Sequence, residues 1–376
     1  MEQDRDEFEP IWAAGFMSGT SIDAVDAALI LTDGVRVLDF GPVVERKYSA
    51  AERLILKEAT DAARNWNWEG SRPEGSFDKA KLVITRTHLD AWAELVGRVD
   101  EFVPPIAGVH GQTVLHRPPT PERKGDTLQL IDAKSLQAGL GTLLAYDFRT
   151  DDVVAGGQGA PLAPAYHSAL LERLSGRESA AVLNLGGVAN ITYKDSQGAL
   201  LAFDTGPANG PIDEWVEGHG AGTCDEGGKL AAAGRVDEGS IALWMDKPWF
   251  DAAPPKSLDR YDFSAVLARG LSLEDGAATL TAFSAEAVAH AVRSFEDRPE
   301  QLIVCGGGRH NPELMRQLKA RVPSKVQTAE DAGWLGDSIE AQAFAFLAVR
   351  ALRGLPLSWP GTTGVPRPMT GGKLLS

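Results

Sequence analysis

Two glycine-rich turns and one carboxylate are the residues of this 376-residue chain whose types and spacing point to chemistry. Gly19-Thr20-Ser21 offers successive backbone N–H groups and two hydroxyls, with no bulky side chain in the way. Gly186-Gly187 offers similar backbone donors without the hydroxyls. Such turns are anion nests when they meet a phosphate and plain hairpin turns when they do not; two of them could clamp a triphosphate from both sides. Asp204 stands just before Gly206-Pro207, where a carboxylate at a strand end can point into a cleft. A triple glycine, Gly306-Gly307-Gly308, precedes Asn311-Pro312, the residue types of a helix N-cap and first helical position.

Familiar nucleotide signatures are missing. Gly228-Lys229 and Gly372-Lys373 are each followed by Leu, so no P-loop closes, and the Gly157-x-Gly159 frame runs into Leu162 instead of a third glycine. Asp39-Phe40-Gly41 spells a protein-kinase tripeptide, but the catalytic loop and strand lysine that give it meaning are absent.

The elements that must position these turns form a repeated pattern. Apolar runs at 13–17, 24–31 and 35–40 are split by Ser18-Gly19-Thr20-Ser21 and Asp33-Gly34 and end at Gly41-Pro42. Runs at 180–185, 188–193 and 199–203 are split by Gly186-Gly187 and a turn at 195–198, and end at Asp204-Thr205-Gly206-Pro207. Each set reads as a three-stranded antiparallel meander. Two such meanders, each opening half of the chain, suggest a duplicated two-lobe architecture, with chance likeness of short runs as the alternative. Helices are expected over 52–63, 78–99, 165–174, 277–295 and 338–353, with strands at 106–110, 127–131, 142–146 and 302–305. The first lobe is drawn as 1–165 with the Pro/Gly-rich tail 355–376 packing back, and the second as 175–350.

Composition narrows the function classes. A net charge of −15 repels phosphate backbones and anionic membrane, so neither nucleic acid nor a membrane surface is an expected partner. No stretch approaches the roughly 20 apolar residues of a membrane helix, and the acidic start MEQDRDEFEP lacks a secretory pattern. The two cysteines, Cys224 and Cys305, have no metal-ligand spacing and fit a reducing compartment, so a cytoplasmic protein is expected.

Eight motifs, in order across nearly the whole chain, carry a resemblance. They are Gly15-Phe16-Met17-Ser18-Gly19-Thr20-Ser21-Ile22-Asp23-Ala24-Val25-Asp26, Val109-His110-Gly111-Gln112-Thr113, Asp147-Phe148-Arg149, Ala155-Gly156-Gly157-Gln158-Gly159-Ala160-Pro161, Leu183-Asn184-Leu185-Gly186-Gly187-Val188-Ala189-Asn190, Phe203-Asp204-Thr205-Gly206-Pro207, Pro254-Pro255-Lys256-Ser257 and Cys305-Gly306-Gly307-Gly308. Together they resemble the anhydro-N-acetylmuramic acid kinases, of the superfamily of sugar kinases, heat-shock chaperones and actin.

The resemblance implies a two-lobed actin-like (ribonuclease H-like) α/β fold, with duplicated mixed sheets flanked by helices and ATP in the cleft. By carry-over, Gly19, Thr20, Ser21, Ile22, Asp23, Ala24, Val25 and Asp26 bind the ATP phosphates with Gly186 and Gly187, while Gly306, Gly307, Gly308 and Asn311 flank the adenosine. Mg²⁺ is expected with the nucleotide, through waters near Asp23 or Asp26; no protein metal cluster is expected. Asp204 is the expected catalytic base that activates water against the anomeric carbon of a 1,6-anhydro sugar. One base could suffice because the phosphoryl group captures the leaving oxygen. Glu340 either contacts the sugar or caps its own helix in an Asp337-x-x-Glu340 pattern. His110, Arg149, Asp152 and Gln158 are further candidates for sugar contact. A strand-end histidine is often structural, however, and Arg149 with Asp152 could be an ordinary ion pair. Lys256 is either near the nucleotide or a surface lysine. A homodimer is implied by the resemblance alone.

The chain departs from the family pattern at three places. It has Ala208-Asn209 where Gly-Asn is usual, Leu258-Asp259-Arg260 where Thr-Gly-Arg is usual, and Thr150-Asp151-Asp152 where an Arg-rich run is common. The last removes positive charge near the expected sugar site and bears on the substrate's acidic group. A kinase for a simpler anhydrosugar such as levoglucosan is therefore an alternative, as is an actin-like sugar sensor without turnover.

Overall fold

The computed structural model describes residues 8–120, 122–174, 179–195, 197–258 and 262–376. The first seven residues of the acidic terminus, Ser196 in the second meander's turn, and Asp259-Arg260 lie outside the described residues. The chain divides into two units, Met1–Arg173 with Ser338–Ser376, and Leu174–Asp337.

The first unit is built on a six-stranded sheet. Strands β1 (Ile11–Ser18), β2 (Ala24–Thr32) and β3 (Val37–Lys47) form the expected antiparallel meander. Strands β4 (Ile106–Val109), β5 (Gln112–Arg117), β6 (Asp126–Leu130) and β7 (Leu143–Tyr146) follow. β4 and β7 extend the sheet in parallel from β1, and the terminal strand Lys373–Leu375 closes its edge. β5 and β6 make a separate two-stranded ribbon.

β3 runs past the expected stop at Gly41-Pro42. The register steps from Ala28–Val43 to Ile30–Phe40, so Gly41-Pro42 occupies a bulge, where a proline without an N–H costs the ladder nothing. One face of the sheet is covered by helices Ala50–Trp66 and Glu74–Gly97, whose Leu56, Ala59, Phe77 and Ile84 pack with Ala14, Phe16 and Val25. The first of these helices opens on a capping box between Ser49 and Glu52.

The opposite face belongs to helix Ile339–Leu352. Side chains alternate across a strand, so Gly15 faces away from Ala14 and Phe16. A Cβ at Gly15 would lie 2.0 Å from the Ala341 carbonyl oxygen, and one at Gly108 would lie 2.1 Å from that of Phe344. Two missing side chains thus let the helix backbone rest on β1 and β4. The second lobe expected from the sequence runs to residue 350; the packing instead joins this helix to the first unit.

The second unit repeats the sheet. Strands β8 (Ala180–Leu185), β9 (Val188–Lys194) and β10 (Leu200–Pro207) form the meander, and β11 (Gln301–Cys305) and β12 (Lys325–Thr328) extend it in parallel from β8. Its order is β10-β9-β8-β11-β12, against β3-β2-β1-β4-β7 in the first unit. A meander continued by two parallel strands, twice over and flanked by helices, is the duplicated mixed α/β architecture of ribonuclease H-like, actin-type folds. Helices Leu273–Ser294 and Pro312–Arg321 pack on the second sheet through Ala285, Val288, Val292, Leu314 and Leu318. Among the described residues no helix is long and apolar enough to cross a membrane.

Candidate functional site

In the first unit, the turn between β1 and β2 presents Thr20, Ser21 and Asp23 to solvent, with Gly19 half-buried. Ile22 sits at φ 57°, in the left-handed region that a β-branched residue rarely enters, and its N–H donates to the Gly19 carbonyl at 3.2 Å. The Tyr48 N–H holds the Asp23 carbonyl at 2.9 Å. Asp23 also pairs with Arg53 at 3.2 Å, both exposed. Ala24, Val25 and Asp26 are already strand: Val25 pairs with Ser18 and Asp26 with Met17, and the Val25 side chain is buried in the core. The expected phosphate segment is thus an open turn of Gly19, Thr20, Ser21, Ile22 and Asp23, anchored by a strand.

His110, Arg149 and Glu340 come together in the same unit. His110 lies buried at the end of β4, its ring 4.8 Å from that of Phe344. Arg149 donates from Nε to His110 Nε2 at 2.9 Å and from a terminal nitrogen to the Gly159 carbonyl at 2.6 Å. Burial and the Arg149 charge hold His110 well below the usual imidazole range, so it is neutral. Burial also lowers Arg149 to about 10, opposed by the charges of Glu340 and Asp152. Glu340 is the solvent-exposed member. Crowding by protein raises its carboxyl, and the Arg149 charge pulls it back.

The helix-capping alternative for Glu340 is not what the structure has. Ser338 is the N-cap without a side-chain cap bond, and Asp337 turns to Arg309 at 2.8 Å and His310 at 3.2 Å.

Asp152 is buried with both oxygens engaged, by the Gly159 N–H at 2.6 Å and the Thr363 hydroxyl at 2.6 Å. The Gln158 N–H donates to the Thr363 carbonyl at 2.7 Å. These two residues therefore pin the 156–159 loop to the tail, and the Asp152 carboxylate is spent on that loop instead of forming a hydrogen-bonded pair with Arg149.

In the second unit, Asp204 is not at a strand end. β10 continues to Pro207, and the register shifts between Asp204 and Gly206, a bulge of the kind that re-aims side chains. The Asp204 N–H donates to the Lys256 carbonyl at 2.9 Å, and its Oδ2 accepts from the Leu258 N–H at 2.7 Å. Burial pushes its carboxyl up to about 6, with the Leu258 N–H opposing. Lys256 directs its ammonium to the carbonyls of Trp249 at 3.1 Å and Phe250 at 2.7 Å, over the Trp249 ring. It is a half-buried brace of the strap that holds Asp204.

Gly186 and Gly187 converge with the triple glycine. Their carbonyls accept from the N–H groups of Ala208, Asn209 and Gly210, at 3.1, 3.0 and 3.1 Å, so the turn seats helix Asn209–Gly218. Gly306, at φ 76°, passes so close to β8 that a Cβ would stand 2.3 Å from Asn184 Oδ1. A Cβ on Gly308 would meet Leu185 and Asn209, whereas one on Gly307 would meet nothing. Gly307 is thus the exposed point of a glycine platform otherwise seated on β8. Asn311 caps helix Pro312–Arg321 through its side-chain oxygen, accepting from Glu313 and Leu314 N–H at 3.0 and 3.1 Å.

Three contributors escaped the sequence reading. Asn209 donates from its amide to the Gly186 carbonyl at 3.0 Å. Arg309, buried, donates to the Gly306 carbonyl at 3.0 Å while gripping Glu330 at 2.8 Å. Gln112 donates to the Gly19 carbonyl at 3.1 Å. Gln112 lies inside one of the eight motifs and Asn209 just beyond another, and Arg309 follows the triple glycine directly.

One unit thus presents an open turn and a buried His110–Arg149 pair, and the other a strap-held carboxylate and a run of glycines. Comparison with known proteins gives the family. A family model described as anhydro-N-acetylmuramic acid kinase matches residues 12–376. The curated anhydro-N-acetylmuramic acid kinase of Rhizobium rhizogenes is 52% identical over 97% of this chain and 99% of its own length. That of Caulobacter vibrioides is 52% identical over 96% and 98%, and that of Mesorhizobium japonicum 50% over 97% and 99%. With turns, strap and platform all falling on the matched residues, this chain belongs to the anhydro-N-acetylmuramic acid kinase family.

Proposed function

We propose that this kinase opens 1,6-anhydro-N-acetylmuramic acid with water and ATP, with Asp204 as the base, giving N-acetylmuramic acid 6-phosphate and ADP in peptidoglycan recycling. Water attacks the anomeric carbon and passes a proton to Asp204. The C1–O6 bond breaks, and O6 forms a bond to the γ-phosphorus as the bond from that phosphorus to the β–γ bridging oxygen breaks. The proton leaves Asp204 for solvent when ADP departs.

The observation that carries the reading is the state of Asp204. One carboxylate oxygen is fixed by the Leu258 N–H, and burial pushes the group up to about 6, close enough to neutrality to accept a proton and release it. The Gly19–Asp23 turn takes the phosphates, and the Gly306–Gly308 platform takes the adenosine. Glu340, Arg149 and neutral His110 are the sugar-facing set, while Asp152 and Gln158 act from behind by fixing the loop that receives Arg149. Asp23, exposed at the turn, fits Mg²⁺ held through water, which would neutralise phosphate charge. ATP as co-substrate and two cysteines not joined in a disulfide suit the cytoplasm.

A coupled ADP-release assay with the muramic anhydrosugar in ¹⁸O-water tests the whole reading. The label is expected on the C1 hydroxyl and not in the phosphate. Asp204→Asn is expected to bind ATP normally and lose roughly 10²–10⁴-fold in turnover. Near-normal turnover by that variant, or label in the phosphate, would remove Asp204 from the role of base.

A further inference from the structure

We infer that Gln112 is a positioning residue for ATP, aiming the backbone donors of the Gly19–Asp23 turn from beneath. This rests on the reading of that turn as the phosphate site. Gln112 is fully buried at the start of β5. Its side-chain oxygen accepts from the Ser18 hydroxyl, and its NH₂ donates to the Gly19 carbonyl at 3.1 Å. Ser18, itself buried, shares a second hydrogen bond with the Tyr48 hydroxyl at 3.1 Å. The amide cannot be turned over, because its oxygen would then face the Gly19 carbonyl oxygen.

The consequence follows from peptide geometry. The Gly19 carbonyl accepts two donors from the protein side, Gln112 and the Ile22 N–H. In a trans peptide the carbonyl and the next N–H point in opposite directions. Holding the Gly19 oxygen inward therefore turns the Thr20 N–H outward, at a residue that is exposed. The Tyr48 residue fixes both ends of the turn, Ser18 by its hydroxyl and Asp23 by its N–H. The anion-facing amide is thus held ready before ATP arrives, so binding does not have to organise it.

Glutamate at 112 keeps the shape, loses the donor to Gly19 and adds a negative charge below a phosphate site. Methionine keeps approximate volume and loses both hydrogen bonds. The test is calorimetric titration of the folded full-length protein and of Gln112→Glu and Gln112→Met, each with ATP and with adenosine, alongside steady-state kinetics. Both variants are expected to weaken ATP binding by about tenfold to a hundredfold and leave adenosine binding unchanged. KM for ATP rises in proportion, and kcat and the sugar KM stay within a few-fold. Unchanged ATP affinity in a folded variant, or equal loss of adenosine, would overturn the inference. Failure of the unmodified protein to bind ATP would instead overturn the phosphate-site reading beneath it.

Discussion

Burial pushes the Asp204 carboxyl up to about 6, while an unfolded chain leaves such a group near 3.8. Two consequences have opposite signs. A base must be deprotonated to act, so kcat/KM for the sugar is expected to rise about tenfold per pH unit below 6 and to level off above it. A flat profile between pH 5 and 8 would assign the proton elsewhere. For stability, the folded state binds more protons than the unfolded state between about 3.8 and 6, so this residue's contribution falls as pH rises through that window. Asp204→Asn should therefore melt higher than the parent at pH 7.5, by roughly 1–3 kcal/mol in free energy, and nearly level with it at pH 4. Equal melting differences at both pH values would show that the site does not destabilise the charged form. Gln112 works at this scale too. Nothing local in Val109-His110-Gly111-Gln112-Thr113 tells that the fourth residue reaches back across 93 positions to a turn, so its role was legible only in the fold.

At the scale of elements, both meanders were readable because their turns are short and rich in glycine or Asp-Gly. The bulges were not. Gly41-Pro42 looks like a stop in a one-dimensional reading yet lies inside β3, and β10 runs on from Asp204 through an extra residue, Thr205, before it ends at Gly206-Pro207. That difference matters for Asp204, because the bulge, and the strap from Lys256 to Leu258 against it, set the carboxylate's direction. Equally hidden was the place of helix Ile339–Leu352, whose helical pattern was plain but whose docking depends on Gly15 and Gly108, more than 200 residues earlier. Gly15→Ala would set a methyl against the Ala341 backbone and push the helix off β1. The expected cost is about 1–3 kcal/mol or more, read as a lower urea midpoint, together with a raised sugar KM because the helix carries Glu340. An unchanged midpoint would mean that the contact yields without cost.

For the whole molecule, the two units are unequal in sequence. Leu174–Asp337 is continuous and has its own sheet and core, whereas the first unit needs residues from both sides of it. A fragment of residues 174–337 is expected to show a cooperative thermal transition by circular dichroism. A fragment of 1–173 should not, because the face of β1 and β4 that Ile339–Leu352 covers would meet water. Cooperative melting of 1–173 alone would show that this helix is dispensable to the sheet. The net charge of −15 spreads repulsion over the chain, so both fragments should stay monomeric more readily at low salt.

The helix resting on two glycines also has a bearing on how the protein is made. A ribosome delivers β1 and β4 long before the segment that shelters them, and completes the entire second unit in between. The half begun first is thus finished last, and a nascent chain carries a sheet with one apolar face uncovered through most of its synthesis. That interval is when a holding chaperone would have most to protect.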